Sequence, residues 1–186
     1  MSVRTVDSSV VSSASRDSKN TRVLVVGVGN LLLKDEGIGV HVAGELQKQT
    51  LPRTVEVIDA GTAALDILLS QAAPYKLVVI DTTKAGKKPG TIYRVRLKAG
   101  EKDKLIRIFG QGNSGISLHQ IGLLQALAAA EKTNRLPEEI VLIGVEPNKV
   151  DWGLELTEPV KRAIPEIVDT VLKEIEDAVH ARQTAG

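Results

Sequence analysis

At 186 residues the chain suits one domain, and a chain of this length buries roughly 70% of its unfolded surface without help from a disulfide or structural metal. It has no cysteine, which excludes disulfide scaffolds, thiolate zinc sites, iron–sulfur ligation and cysteine nucleophiles together and leaves N and O donors for any metal. With 24 Lys+Arg against 23 Asp+Glu, and Tyr75, Tyr93, Phe109 and Trp152 as its Phe, Tyr and Trp residues, it offers no basic field, stacking platform or aromatic belt, so neither nucleic acid nor a membrane is expected as partner.

Residues 1–20 are serine-rich and lack a continuous apolar stretch, so they read as a disordered tail rather than a secretory signal. Asp7 and Asp17 argue against an organelle transit peptide. Residues 21–182 read as the single folded domain. RVLVVGV (22–28) is a buried parallel strand by its continuous apolar run. A helix follows from about Glu36 to Gln49, with Ile38, Val42 and Leu46 on one stripe. TVEVIDA (54–60) is the second strand and ALDILLSQAA (64–73) a short helix. YKLVVID (75–81) is a third strand, ending on a carboxylate. KKPGTIYRVRL (87–97) turns at Pro-Gly and then alternates, as a half-exposed edge strand does. Residues 98–116 have no clear period and include the loop GQGNSG (110–115). A helix over 118–132 leads to the last strand, EIVLIGV (139–145), which Pro147 ends. Thr157 is expected to cap a final helix reaching about His180, with Pro165 kinking or breaking it. The order predicts a three-layer α/β/α sandwich on a mostly parallel sheet.

The turn after the first strand, GVGNLLLKDEGIG (27–39), is not a dinucleotide fingerprint. Leu32 stands where the third glycine would be, and the helix opens with Asp35 and Glu36. Each of those carboxylates would repel a pyrophosphate by about 4 kcal/mol at ~4 Å and an effective dielectric of ~20. Asp59, at the end of the second strand, also falls later than the usual interval. The turn instead presents acids at a tight strand exit. Asp35 suits a helix cap, whereas Glu36 has a second use.

In open α/β sheets, sites form beyond the carboxyl ends of strands where the strand order reverses. If the first and third strands are neighbours, Glu36 and Asp81 meet there. A cation relieves the cost of that carboxylate pair. His119 is expected in the first turn of its helix, where Ser117 and Gln120 have capping-box spacing and the dipole favours neutral imidazole. Two carboxylates and an imidazole suit a divalent transition metal. Asn30, Asp35, Asp59 and Gln120 are candidates for supporting these groups from a second layer or from the loops. His41 and His180 suggest no role.

GVGNLLLKDEGIG (27–39), DAGT (59–62), ID (80–81) with PGTIYRV (89–95), SLHQIGL (117–123) and LIGVEP (142–147) occur in the order found in hydrogenase maturation endopeptidases. The chain resembles that family from Arg22 to about Glu174. The resemblance implies a phosphorylase/hydrolase-like fold with a five-stranded sheet of order 2-1-3-5-4 and an antiparallel edge strand (91–97). It implies removal of a C-terminal extension from the precursor of a nickel–iron hydrogenase large subunit, after nickel insertion and with that nickel as the signal. The family's metal-contacting acid, acid and histidine fall on Glu36, Asp81 and His119, and other divalent metals could occupy the same place. PNKVDWGLELTEPV (147–160) resembles the family's last loop and helix, with Thr157 where serine is common. Ala60 stands where relatives often carry glycine.

No HExxH, GxSxG or cysteine is present, so zincin, serine and thiol mechanisms lack support. Two other readings compete. One is a nickel-binding maturation factor that does not cut. The other is a different hydrolase on a related sheet, such as a peptidyl-tRNA hydrolase, which would want a basic groove. A cytoplasmic enzyme is expected. The low aromatic content favours a monomer.

Overall fold

The computed structural model describes residues 23–63, 73–98, 101, 125, 127–133 and 135–184. Strand β1 (Val23–Val28) is buried along its whole length, as its valine-rich sequence requires of a strand covered on both faces. A 3₁₀ turn (Lys34–Gly37) then leads into helix α1 (Ile38–Gln47). Strands β2 (Val55–Gly61), β3 (Lys76–Thr82), β4 (Ile92–Lys98) and β5 (Glu139–Val145) complete the sheet, and helix α2 (Glu158–Gln183) follows. The strand order is β2-β1-β3-β5-β4. Pairing is parallel except between β4 and β5. This is the expected order, with β4 as the antiparallel edge.

Alternate side chains divide the sheet into two faces. Val23, Val25, Val78, Ile80, Val141 and Ile143 pack under α1 and α2. Leu24, Val26, Leu77, Val79, Ile140 and Leu142 pack on the other face, where Leu127 covers them. Residues 127–132 are helical, so helix lies on both faces. Ile38, Val42 and Leu46 are fully buried, as the helical stripe predicted. The expected helix at 64–73 lies almost wholly outside the described residues, as do residues 1–20 and most of the segments 98–116 and 118–132.

Two expectations for the last helix need correction. It runs unbroken through Pro165. Its buried stripe of Val160, Ala163, Ile167, Val171, Ile175 and Ala178 continues past the proline, and that packing outweighs one missing backbone hydrogen bond. Thr157 stands at the N-cap position but makes no side-chain capping bond, because its hydroxyl is used elsewhere, as described below.

At the amino-terminal end of the parallel strands, Lys76 is fully buried against Glu174 of α2, with Nζ 2.6 Å from a carboxylate oxygen and 2.9 Å from the carbonyl. Glu174 also pairs with Arg94 and Arg96 of β4, and Arg96 reaches Glu139 of β5. Burial alone would raise the Glu174 carboxyl, but the hydrogen bond and charge of Lys76, with Arg94 and Arg96, hold it below the ordinary value. This cluster fixes α2 across β3, β4 and β5 at the end of the sheet remote from the glycine-rich turn. Among the described residues no helix is long and apolar enough to cross a membrane.

Candidate active site

The carboxyl ends of β1 and β3 lie side by side, with Gly27 opposite Ile80. Helix α1 comes down onto them through glycine-to-backbone contact. A Cβ on Gly39 would lie 2.2 Å from the Val28 carbonyl oxygen and 2.3 Å from that of Ile80. A Cβ on Gly27 would lie 2.2 Å from the Gly39 carbonyl oxygen. Only hydrogen fits at either position, so these two glycines set how closely α1 approaches the strands. The 3₁₀ turn carrying Glu36 is thereby held over the β1–β3 seam.

Further bonds fix that turn. The Glu36 carbonyl accepts from the Asn30 amide at 3.2 Å and, in a long contact of 3.5 Å, from the Thr82 hydroxyl. Thr82 follows Asp81 on β3, so the backbone of one candidate acid is tied to the neighbour of the other. Asp81 is half-buried at the end of β3, opposite Gly144 of β5, and its Oδ1 accepts from the Thr82 amide at 2.7 Å. Gly144 leaves space that Thr83 fills, since a Cβ there would lie 2.2 Å from the Thr83 hydroxyl oxygen.

The supporting candidates divide. Asn30 accepts from the Leu32 amide at 3.0 Å and so closes the first bend after β1. Asp59 accepts from the Gly61 amide at 2.9 Å, and the Gly61 carbonyl in turn accepts from Gly29 at 2.9 Å, which joins the turns after β1 and β2. Asp35 is fully buried and bonds the 148–157 loop. It caps neither the 3₁₀ turn nor α1. Its Oδ1 accepts from the Thr157 amide at 2.6 Å. Its Oδ2 accepts from the amides of Asn148 and Lys149 and from the Thr157 hydroxyl, at 2.8–2.9 Å. Asp35 therefore folds the 148–157 loop onto the 3₁₀ turn and occupies the hydroxyl expected to cap α2. His119 and Gln120 lie outside the described residues. Among the described residues no three His, Asp or Glu side chains gather as a metal cluster.

Glu146, which no sequence motif singles out for a role of its own, also bears on the site. It is buried and accepts from the Ala85 and Gly86 amides at 2.9 and 3.2 Å and from the Tyr93 hydroxyl at 2.5 Å. Burial favours the protonated acid, but those donors together hold Glu146 below its ordinary value. Burial and the same bond push the Tyr93 phenol up to about 12. Glu146 so holds the loop that leaves β3 just after Asp81. One signal was visible in the sequence: like the third strand, the fifth runs apolar into a carboxylate.

An open α/β sheet with an acid-bearing turn held by glycine contacts over the seam of two adjacent parallel strands is the frame shared with solved maturation proteases. The sequence model described as "Hydrogenase maturation protease" matches residues 40–174, which begin just after Glu36 and include Asp81 and His119. The "Hydrogenase expression/formation protein HupD" of Bradyrhizobium diazoefficiens is 36% identical over 154 residues, 82% of this chain and 77% of the relative. The "Hydrogenase 2 maturation protease" of Escherichia coli is 34% identical over 159 residues, 84% of this chain and 92% of the relative. The solved structure of the hydrogenase maturating endopeptidase HybD from E. coli superposes with a TM-score of 0.74 at 33% identity, covering 84% of this chain and 93% of that one. The chain belongs to the hydrogenase maturation protease family.

Proposed function

We propose that this protease removes the C-terminal extension of a nickel–iron hydrogenase large-subunit precursor once nickel has been inserted, and that Glu36, Asp81 and His119 contact that nickel. The supporting observation is the Glu36 turn tied to the end of β3 beside Asp81, above the seam of two adjacent strands. The metal is the precursor's cargo. Gripping it would bring the scissile bond to the rim of the sheet and remove much of the entropic cost of bringing the groups together. Bound there, the nickel would supply Lewis acidity to polarise the scissile carbonyl or activate a water, and a carboxylate of the pair released from the metal is the alternative general base.

Intact-mass measurement of nickel-loaded and nickel-free precursor after incubation with the protein tests this. Loss of the extension with nickel alone is expected. His119→Ala should abolish that loss while keeping the wild-type circular dichroism spectrum. Full cutting by His119→Ala would remove it from the ligand set. No cutting of a competent precursor by the wild type would leave a binding factor as the better reading.

A further inference from the structure

Among the described residues the exposed large hydrophobic side chains are Leu31 (40%), Leu32 (52%), Trp152 (76%) and Leu154 (66%). They come from two segments far apart in sequence that are laced together. Leu33 and Gly153 form a bridge, the Gly153 amide donates to the Leu32 carbonyl and the Lys34 amide to the Gly153 carbonyl, both at 2.9 Å. The Asp35 carboxylate fixes the second segment from behind. Gly153, at φ 147°, has a backbone conformation that favours glycine, and the Lys34 side chain packs over it. The four residues are therefore presented on a fixed frame.

Large side chains on a fixed frame carry a standing cost in water, and patches of this kind mark interfaces. Tryptophan is well suited to anchor one. The patch adjoins the candidate site. Leu31 packs on Gly37, whose Cβ would lie 3.2 Å from the Leu31 Cα, and Glu36 precedes Gly37 in the same turn. Beside the patch Lys149 and Asp151 pair at 3.1 Å, and the Lys34 side chain packs against Gly153. The exposed side chains are themselves apolar and so suit an apolar strip on a partner.

We infer that Leu31, Leu32, Trp152 and Leu154 form the surface on which the hydrogenase precursor docks, through an apolar strip of its own, so that its scissile segment reaches Glu36. The inference rests on the processing function proposed above. A protease that cuts another protein must seat that protein beside its site, and this patch shares a turn with Glu36.

Trp152 is the single tryptophan, so protein labelled with 5-fluorotryptophan gives one ¹⁹F resonance from the patch. Addition of unlabelled nickel-loaded precursor should shift or broaden it. The variant Trp152→Ala/Leu154→Ala should raise KM about tenfold or more and leave kcat within about twofold. Cutting with an unmoved resonance and an unchanged KM in the variant would overturn the docking surface and leave the processing function standing. A moved resonance without cutting would keep the surface and overturn the processing function. A shift that depends on protein concentration without precursor would assign the face to self-association and overturn the inference.

Discussion

Asp35 shows how one side chain can fold a region remote in sequence. All four groups around its carboxylate are donors, three of them backbone amides. Asp35→Ala leaves those amides without their acceptor and should destabilise the protein by about 3 kcal/mol, read from urea unfolding. Asp35→Asn should cost nearly as much, because its NH₂ group would face an amide donor at either oxygen's position. A near-neutral Asn variant would show that the carboxylate does not organise the loop. Glu146 makes the same kind of bond on the other side of the candidate site, holding the loop after Asp81.

The placement of α1 depends on residues with no side chain. The contrast between Gly39 and Gly44, both on α1, makes this testable. A Cβ at Gly39 meets two strand carbonyl oxygens, whereas a Cβ at Gly44 meets nothing within 4 Å. Gly39→Ala must push α1 off the β1–β3 seam and should lower the melting temperature sharply, with loss of processing. Gly44→Ala should raise stability by up to about 1 kcal/mol, from helix propensity alone. Equal melting temperatures for the two variants would show that the close approach does not set the position of α1. Helix α2 shows the opposite balance, since Pro165 is tolerated within a helix that long burial holds in place.

The whole molecule is held at one end by buried charge and carries its candidate chemistry at the other. Glu174 titrates below its ordinary 4.5 in the folded protein, so its contribution to stability is present above that value. The contribution falls as pH drops through the folded-state value, and Glu146 acts in the same sense. Urea midpoints should therefore decline on acidification below 4.5, and the decline should be shallower in Glu174→Gln. Glu174→Ala leaves the buried Lys76 ammonium with only Glu139 at 3.4 Å and the backbone carbonyl of residue 174, and should cost about 3 kcal/mol, while replacing both Lys76 and Glu174 by methionine should recover most of it. A double variant no more stable than the single would show that the ion pair contributes more than charge compensation.

The strands follow from the apolar pattern of the chain, because continuous or alternating runs of Val, Ile and Leu have few other ways to bury themselves. The Ile38, Val42 and Leu46 stripe follows for the same reason. The strand order and the candidate acids at the turn and strand end were legible in motifs whose sequence and spacing resemble a known family. The partners of single polar and glycine residues emerge only when the elements pack. The direction of Asp35, the role of Thr157, the loop held by Glu146 and the joining of Leu32 to Gly153 each depend on residues more than fifty positions apart. Periodicity records which face of an element is buried. It carries no record of which distant amide or hydroxyl a buried carboxylate will meet once the sheet has assembled.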